Sequence, residues 1–131
     1  RHRLLAYNTA MKILLVDDDA FLRDMYATKF VERGDTITAQ GDGQLAIDAL
    51  RQEKFDAGIL DMVMPQMTGI DLIKMIKAEF PDQRCIVLSN QAESFEKKGA
   101  LEAGAAGYIV KADLIPSEVV EQVHSILEAT R

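Results

Sequence analysis

The chain has 131 residues, of which 48% are hydrophobic and 27% are charged, and its formal net charge is −6. This length suits one domain with a packed core, and the acidic balance argues against a surface that binds the phosphates of DNA or RNA. No apolar run reaches the length of a membrane span or a signal peptide, and the single cysteine, Cys85, suits a buried thiol in a reducing compartment, so we expect a cytoplasmic protein without direct membrane or nucleic-acid contact.

The first ten residues, "RHRLLAYNTA", are unlike those that follow, and Met11 could be a natural start. We interpret residues 1–10 as a leader or an added extension, with a linker from an upstream domain as the alternative. Residues 11–131 are then expected to form one domain.

Short apolar runs alternate along the chain with longer segments whose apolar residues recur at helical spacing. In chain order we predict a strand at 12–16, a helix at 20–31, a strand at 36–40, a helix at 44–51, a strand at 57–60, a helix at 68–80, a strand at 85–88, a helix at 92–103, a strand at 108–110 and a last helix from about Pro116. The pattern contains five strand–helix units and no internal repeat.

The composition of the strands predicts how they are arranged. Four of them are almost continuously apolar, which is typical of strands covered on both faces of a parallel sheet. The second strand, "TITAQ", is more polar and is expected at an edge. Because parallel strands require right-handed helical crossovers, we predict an α/β fold, a three-layer, doubly wound (βα)5 sandwich.

Several helix ends carry recognisable signals. Asp19 is placed to cap the start of the first helix, and Gly34 is placed to end it. Thr68 and Asp71 have the spacing of a capping box at the start of the third helix. Pro81 follows that helix and is expected to close it.

Polar residues follow the apolar strands at the points where those strands end. Asp17 and Asp18 follow the first strand, Asp61 the third, Ser89 the fourth and Lys111 the fifth. In open α/β sheets the functional crevice lies beyond the carboxyl ends of the strands. We therefore expect three carboxylates, a hydroxyl and an ammonium group to converge at one rim of the sheet.

These residue types together suit phosphoryl chemistry. Clustered carboxylates are stable around a hard cation, and Mg²⁺ prefers oxygen ligands of which one or two are direct carboxylates. Asp61 could act as a nucleophile, since carboxylates form aspartyl phosphates. Lys111 could bind one phosphate oxygen and Ser89 could donate its hydroxyl to another. Catalysis of this kind consists mainly of positioning and charge neutralisation.

Four motifs, "ILLVDDD", "ILDMVMPQMTGID", "IVLSNQ" and "AGYIVKAD", occur in this order between residue 11 and about residue 129. In residues and order they resemble the receiver domain of two-component response regulators, the CheY-like family. The resemblance implies a flavodoxin-like five-stranded parallel sheet with strand order 2-1-3-4-5, an order of which this family is itself a known example.

The resemblance also implies roles for the metal-site residues. Asp61 would be the phosphoacceptor. Asp18 would bind Mg²⁺ directly, Asp17 would act through a water molecule, and Asp61 would itself be a ligand. The backbone carbonyl of Val63 would complete the protein's share of the coordination.

The remaining implied roles concern the response to phosphorylation. Lys111 would bind the phosphoryl group, and Ser89 would be the switch hydroxyl that moves onto it. Tyr108 would be the aromatic partner that turns inward with Ser89, although a half-buried tyrosine that never moves is the plainer interpretation.

The implied partners are a sensor histidine kinase or phosphotransfer protein, which donates the phosphoryl group, and an output domain or protein. The output partner would contact the face formed by the fourth helix, the fifth strand and the fifth helix. The role would be regulatory although the domain catalyses its own phosphorylation and slow dephosphorylation. The alternatives are a Mg²⁺-dependent phosphohydrolase that uses an aspartyl phosphate and a receiver-like binding module that is never phosphorylated.

The chain departs from the family pattern in ways that lead to further expectations. Ala112 follows Lys111 where proline after a cis bond is common, which leaves the geometry there open. Val63 offers no polar group to guide a water molecule, so we expect slow hydrolysis of the phosphoaspartate. Gly99 should loosen the fourth helix, which we expect to be the most mobile helix.

Other residues that could bind metals receive plainer interpretations. Three methionines near Asp61 are expected to pack in a loop rather than bind a metal, because Mg²⁺ prefers oxygen. They are Met62, Met64 and Met67. Neither His2 nor His124 is expected to be catalytic, since one lies in the leader and the other on the last helix.

Overall fold

The computed structural model describes residues 9–130. Its five strands are β1 (Lys12–Val16), β2 (Thr36–Gln40), β3 (Ala57–Asp61), β4 (Cys85–Ser89) and β5 (Gly107–Val110). Its five α-helices are α1 (Ala20–Arg33), α2 (Gly43–Gln52), α3 (Gly69–Glu79), α4 (Ser94–Glu102) and α5 (Pro116–Ala129), with a short 3-10 helix at Lys111–Asp113. Residues 1–8, which contain most of the predicted leader and His2, lie outside the described residues.

The strands form one parallel sheet in the order β2-β1-β3-β4-β5, which confirms the predicted α/β architecture and strand order. Every residue of β3 and β4 is buried, including Cys85, as expected of central strands covered on both faces. The more polar β2 lies at an edge and stays partly exposed, as its composition predicted. Each strand begins and ends within one residue of its predicted bounds.

The sheet separates two hydrophobic cores. Ile13 and Leu15 of β1 point into one core, which α1 and α5 cover, whereas Leu14 and Val16 point into the other, which α2 and α3 cover. This division follows from the alternation of side chains along a strand. Because both sets of side chains are apolar, β1 holds the two layers of helices together.

The predicted helix ends are confirmed where a side chain or a glycine defines them. The Asp19 carboxylate accepts a hydrogen bond of 3.0 Å from the Leu22 amide, and Gly34 ends α1 with a φ of 106°, in the left-handed region that favours glycine. Thr68 and Asp71 form the predicted capping box at the start of α3.

Helix α4 is the most weakly anchored of the five helices. It covers Ser94–Glu102, which is shorter than the predicted 92–103, and Ala100 is its one buried residue. Its N-cap, Glu93, makes no capping hydrogen bond with its side chain. The helix begins two residues later than predicted because no side chain at its amino end satisfies the first amide groups.

The amino ends of the strands are joined to α5 by buried polar groups. Asp35, just before β2, accepts a hydrogen bond of 2.9 Å from the Met11 amide, and its other carboxylate oxygen lies 2.7 Å from Nε2 of His124. Both Asp35 and His124 are buried. None of the described helices combines the length and the apolar character needed to cross a bilayer.

Candidate functional site

Three carboxylates meet at the carboxyl ends of β1 and β3. These strands are neighbours in the sheet, with Val16 paired to Leu60, so the residues that follow this pair lie side by side. Carboxylate oxygens of Asp17, Asp18 and Asp61 all lie within 4.8 Å of one another. The three acidic residues predicted from the strand ends are therefore brought together.

Burial disfavours the ionised form of two of these three carboxyl groups. Asp17 is 1% exposed and Asp61 is 8% exposed. Burial raises the pKa of both carboxyl groups above the usual range, and the negative charges of nearby acidic residues add to this rise. Asp18 is exposed, so the cluster opens to solvent on its side.

One oxygen of Asp17 lacks a partner within the described part of the chain, and a cation could supply one. Oδ1 accepts a hydrogen bond of 2.9 Å from the Asp19 amide, whereas Oδ2 is buried without a hydrogen-bond partner among the described residues. A buried carboxylate oxygen without a partner is costly. An all-oxygen set of acidic ligands fits a hard divalent cation, so this arrangement can hold a metal ion.

Lys111 supplies the positive charge at the site. Its Nζ lies 2.7 Å from Oδ1 of Asp61, and both side chains are buried. The ammonium group lowers the pKa of Asp61, but burial raises it by more. A phosphoryl group that reached Asp61 would therefore meet a cation already in place.

The bond between Lys111 and Ala112 settles the geometry that the sequence left open. No cis peptide bond occurs within residues 9–130, so this bond is trans. Lys111 begins the short 3-10 helix after β5 and reaches Asp61 from there. Proline at position 112 is therefore not required for the Lys111–Asp61 contact.

The loop between β3 and α3 surrounds Asp61 closely. A Cβ atom at Gly69 would lie 2.8 Å from the backbone carbonyl oxygen of Asp61, so this position requires glycine. Met62 and Met64 are buried in the core on the α2 and α3 side, and Met67 packs against it, which confirms loop packing. Val63 pairs with Thr68 in an isolated bridge, and the residue is 69% exposed.

The two predicted switch residues share one hydrogen-bond acceptor. The Ser89 hydroxyl lies 2.7 Å from Oε1 of Glu96, and the Tyr108 hydroxyl lies 2.5 Å from the same oxygen. The Tyr108 hydroxyl also lies 2.8 Å from the carbonyl oxygen of Gln91. Burial, together with the hydrogen bond to Glu96, raises the pKa of Tyr108 to about 12.

Sequence reasoning missed Glu96. It lies in the weakly patterned fourth helix, and no motif marks it as a partner of Ser89 and Tyr108. His124, in contrast, pairs with Asp35 at the amino ends of the strands, which agrees with its predicted absence from the acidic cluster.

The family model described as the response regulator receiver domain matches residues 13–124. The chain is 34% identical over 116 residues to the chemotaxis protein CheY of Thermotoga maritima, covering 88% of this chain and 96% of that protein. It is 31% identical over 118 residues to the probable transcriptional regulatory protein TcrX of Mycobacterium tuberculosis, covering 90% of this chain. It spans 50% of TcrX and 45% of the two-component response regulator PhoP of Pseudomonas aeruginosa, about half the length of these relatives.

Solved structures show the same fold. The receiver domain of the Francisella response regulator 1452 matches 92% of this chain and 99% of its own, at 27% identity and a TM-score of 0.82. The BeF3-activated DrrB receiver domain also matches 92% of this chain and 99% of its own, at 26% identity and a TM-score of 0.75. With the family match over most of its length, this chain belongs to the response regulator receiver domain family.

Proposed function

We propose that the chain accepts a phosphoryl group on Asp61, in a Mg²⁺-dependent transfer from the phosphohistidine of a sensor histidine kinase or phosphotransfer protein. One observation carries this proposal. The buried Asp61 carboxylate lies beside Lys111 at 2.7 Å and in the same cluster as Asp17 and Asp18. A nucleophile, a cation for the phosphoryl oxygens and ligands for a metal are thus present in one site.

In the proposed transfer, a carboxylate oxygen of Asp61 forms a bond to phosphorus. The bond between phosphorus and the donor's imidazole nitrogen breaks, and the nitrogen keeps the electron pair. Lys111 then binds an oxygen of the acyl phosphate on Asp61. Mg²⁺ bound by Asp17, Asp18, Asp61 and the carbonyl of Val63, with Asp17 acting through water, would neutralise charge on the phosphoryl oxygens.

The proposed consequence of phosphorylation is a change in the face formed by α4, β5 and α5. Ser89 donates its hydroxyl to the phosphoryl group and Tyr108 turns inward with it. An output domain or protein then binds this face differently, as a shift between two populated forms. The role is regulatory, and the domain catalyses only its own phosphorylation and slow dephosphorylation. The free buried thiol of Cys85 suits work in the cytoplasm.

The first test is intact mass after incubation with acetyl phosphate and Mg²⁺. We expect one phosphoryl increment in the parent chain, no increment without Mg²⁺ and none in Asp61→Asn. A mass increment that persists in Asp61→Asn would contradict the assignment of the phosphoacceptor. No adduct in the parent, together with measurable Mg²⁺ binding, would favour a binding module that is never phosphorylated.

The phosphohydrolase alternative is not favoured. Such enzymes usually need a second acid two residues after the nucleophile, and that position is Val63. Rapid turnover of small phosphate esters without a lasting adduct would nevertheless support it over the receiver function.

Val63 leads to a prediction about the lifetime of the phosphorylated form. Its exposed side chain has no polar atom to orient an attacking water molecule. We therefore expect a half-life of minutes or longer, measured by the loss of the phosphoryl increment after removal of acetyl phosphate. Val63→Glu should shorten the half-life about tenfold by adding a group that can orient water. A half-life of seconds in the parent would contradict this prediction.

A further inference from the structure

We infer that Glu96 is a positioning residue that stabilises the unphosphorylated form. Its carboxylate holds the hydroxyls of Ser89 and Tyr108 and thereby ties the first turn of α4 to the sheet. This inference rests on the proposed phosphorylation of Asp61. The phosphoryl group takes the Ser89 hydrogen bond away from Glu96, and this loss frees the first turn of α4 from the sheet.

The Glu96 carboxylate and the phosphoryl group would compete for the one hydrogen of the Ser89 hydroxyl. A hydroxyl has one hydrogen to donate, and Ser89 lies 2.7 Å from the Glu96 carboxylate but 3.2 Å from the Gln91 carbonyl oxygen. The shorter bond to a charged acceptor is the stronger one, so Glu96 receives the hydrogen. Ser89 cannot donate to Glu96 and to a phosphoryl oxygen at the same time.

Burial raises the energetic cost of leaving the Ser89 hydroxyl without a hydrogen-bond partner. Ser89 is 3% exposed, so water has little access to replace a lost partner. Glu96 and Tyr108 are half-buried, and the Tyr108 hydroxyl donates to the same carboxylate oxygen. A single oxygen therefore joins side chains from β4, β5 and α4.

The weak anchoring of α4 makes Glu96 important for that helix. Ala100 is the one buried residue of α4, and Glu93 makes no capping bond with its side chain. The bonds from Ser89 and Tyr108 therefore fix the first turn of the helix to the sheet. When Ser89 moves to the phosphoryl group and Tyr108 turns inward with it, Glu96 loses both hydroxyl donors and α4 loses this attachment to the sheet.

Removal of the carboxylate should therefore favour the activated form before any phosphorylation. The test is the affinity of the chain for beryllofluoride, a phosphoryl mimic, at saturating Mg²⁺. We expect Glu96→Ala to bind about tenfold more tightly than the parent, since a population shift appears directly in the affinity. Glu96→Gln, which keeps the size of the side chain, should show a smaller gain in the same direction.

Glu93→Gln is the matched control, because it makes the same change of charge at the start of the same helix. It should leave the affinity within about twofold of the parent. Equal or weaker binding by Glu96→Ala and Glu96→Gln would overturn the inference while leaving the proposed function intact. If the parent itself bound no beryllofluoride and accepted no phosphoryl group, the proposed function would fail, and the inference with it.

A double variant separates coupling from a general loss of stability. Without the Ser89 hydroxyl, the competition between Glu96 and the phosphoryl group for its hydrogen is absent, so Glu96→Ala should tighten binding less in a Ser89→Ala background than in the parent chain. A tenfold gain that persisted in that background would overturn the inference.

The Tyr108 ring gives a spectroscopic readout of the same bond. Its NMR signal, assigned with Tyr108→Phe, should titrate at a lower pH in Glu96→Gln than in the parent, because the acceptor carboxylate raises the pKa of Tyr108. An unchanged titration would contradict the shared bond.

Discussion

At the scale of single residues, Asp17 lowers the stability of the fold while providing an oxygen suited to a metal ion. A carboxylate with one buried oxygen that lacks a partner lowers the stability of the fold when it is ionised. The same oxygen is well suited to a metal ion or to water bound to it. Asp17 is thus favourable for the site only when a cation is present.

We predict that Asp17→Asn stabilises the metal-free chain, because it removes a buried charge while keeping the shape of the side chain. The expected gain is about 1 kcal/mol, or about 4 °C in Tm by thermal unfolding. The same variant should bind Mg²⁺ at least about tenfold more weakly in calorimetry. Asp18→Asn is the matched control, since Asp18 is exposed and its loss should change Tm little. A lower Tm in Asp17→Asn would contradict the prediction.

The stability gain from Asp17→Asn should depend on pH. Burial raises the pKa of Asp17 in the folded chain above its ordinary value of 3.8, so the folded state holds this proton more tightly than the unfolded state. The contribution of Asp17 to stability therefore falls as pH rises from 3.8 through the raised pKa. The advantage of Asp17→Asn should grow over this window in metal-free buffer. An advantage that shrank as pH rose would have the wrong sign.

At the scale of elements, α4 differs from the other helices in how little it buries. Its one buried residue and its uncapped first turn leave few interactions to hold it, and Gly99 adds backbone freedom in its interior. The helix also carries Glu96, so its attachment depends on the hydroxyls of Ser89 and Tyr108. Low local stability and a link to the proposed phosphorylation site therefore occur in the same element.

We predict that amide hydrogens of α4 exchange faster than those of α5, measured by hydrogen–deuterium exchange on the metal-free chain. Gly99→Ala should slow exchange in α4 and stabilise it by about 0.5–1 kcal/mol, because alanine loses less backbone entropy. The substitution has room, since a Cβ at Gly99 would meet the Ile70 Cδ1 at 3.4 Å, an ordinary contact. Slower exchange in α4 than in α5 would contradict the prediction.

At the scale of the whole molecule, the two ends of the sheet perform different tasks. The carboxyl ends of the strands hold the acidic cluster and Lys111, whereas the amino ends are fixed by Asp35 and His124. Asp35 joins the start of β1 to α5 through two hydrogen bonds in the interior. Substitutions at the amino ends should therefore lower stability without preventing the proposed phosphorylation.

We predict that Asp35→Ala lowers the free energy of unfolding by about 3 kcal/mol in urea denaturation, because it leaves buried partners of both hydrogen bonds unsatisfied. Below its unfolding midpoint, the variant should still take up one phosphoryl group. Glu32→Ala, which breaks an exposed ion pair with Lys29, should cost less than about 1 kcal/mol. Equal losses of unfolding free energy in Asp35→Ala and Glu32→Ala would contradict the prediction.

Most of the fold could be predicted because its elements depend on local patterns. Apolar runs placed four of the strands within one residue of their bounds, the short β-rich run "TITAQ" placed the fifth, and Asp19 and Thr68 marked helix starts through their own side chains. The start of α4 could not be placed as well, since no side chain caps it.

Part of the site could likewise be predicted, because residues after parallel strands must meet at one edge. The contact of Glu96 with Ser89 and Tyr108 could not, since it depends on side chains from three elements converging on one oxygen. The pairing of Asp35 with His124 joins residues 89 positions apart, and no local pattern reports it. The trans bond before Ala112 also required the structure.

The small burial of α4 has a consequence for how this protein can diversify. Seven of its nine positions are neither the buried Ala100 nor the hydroxyl acceptor Glu96, and few of them support the core. Random substitutions there should be tolerated far more often than in α3, which buries Gly69, Leu72, Ile73 and Ile76. New recognition surfaces could therefore arise in duplicated copies through changes in α4 while the acidic cluster remained unchanged.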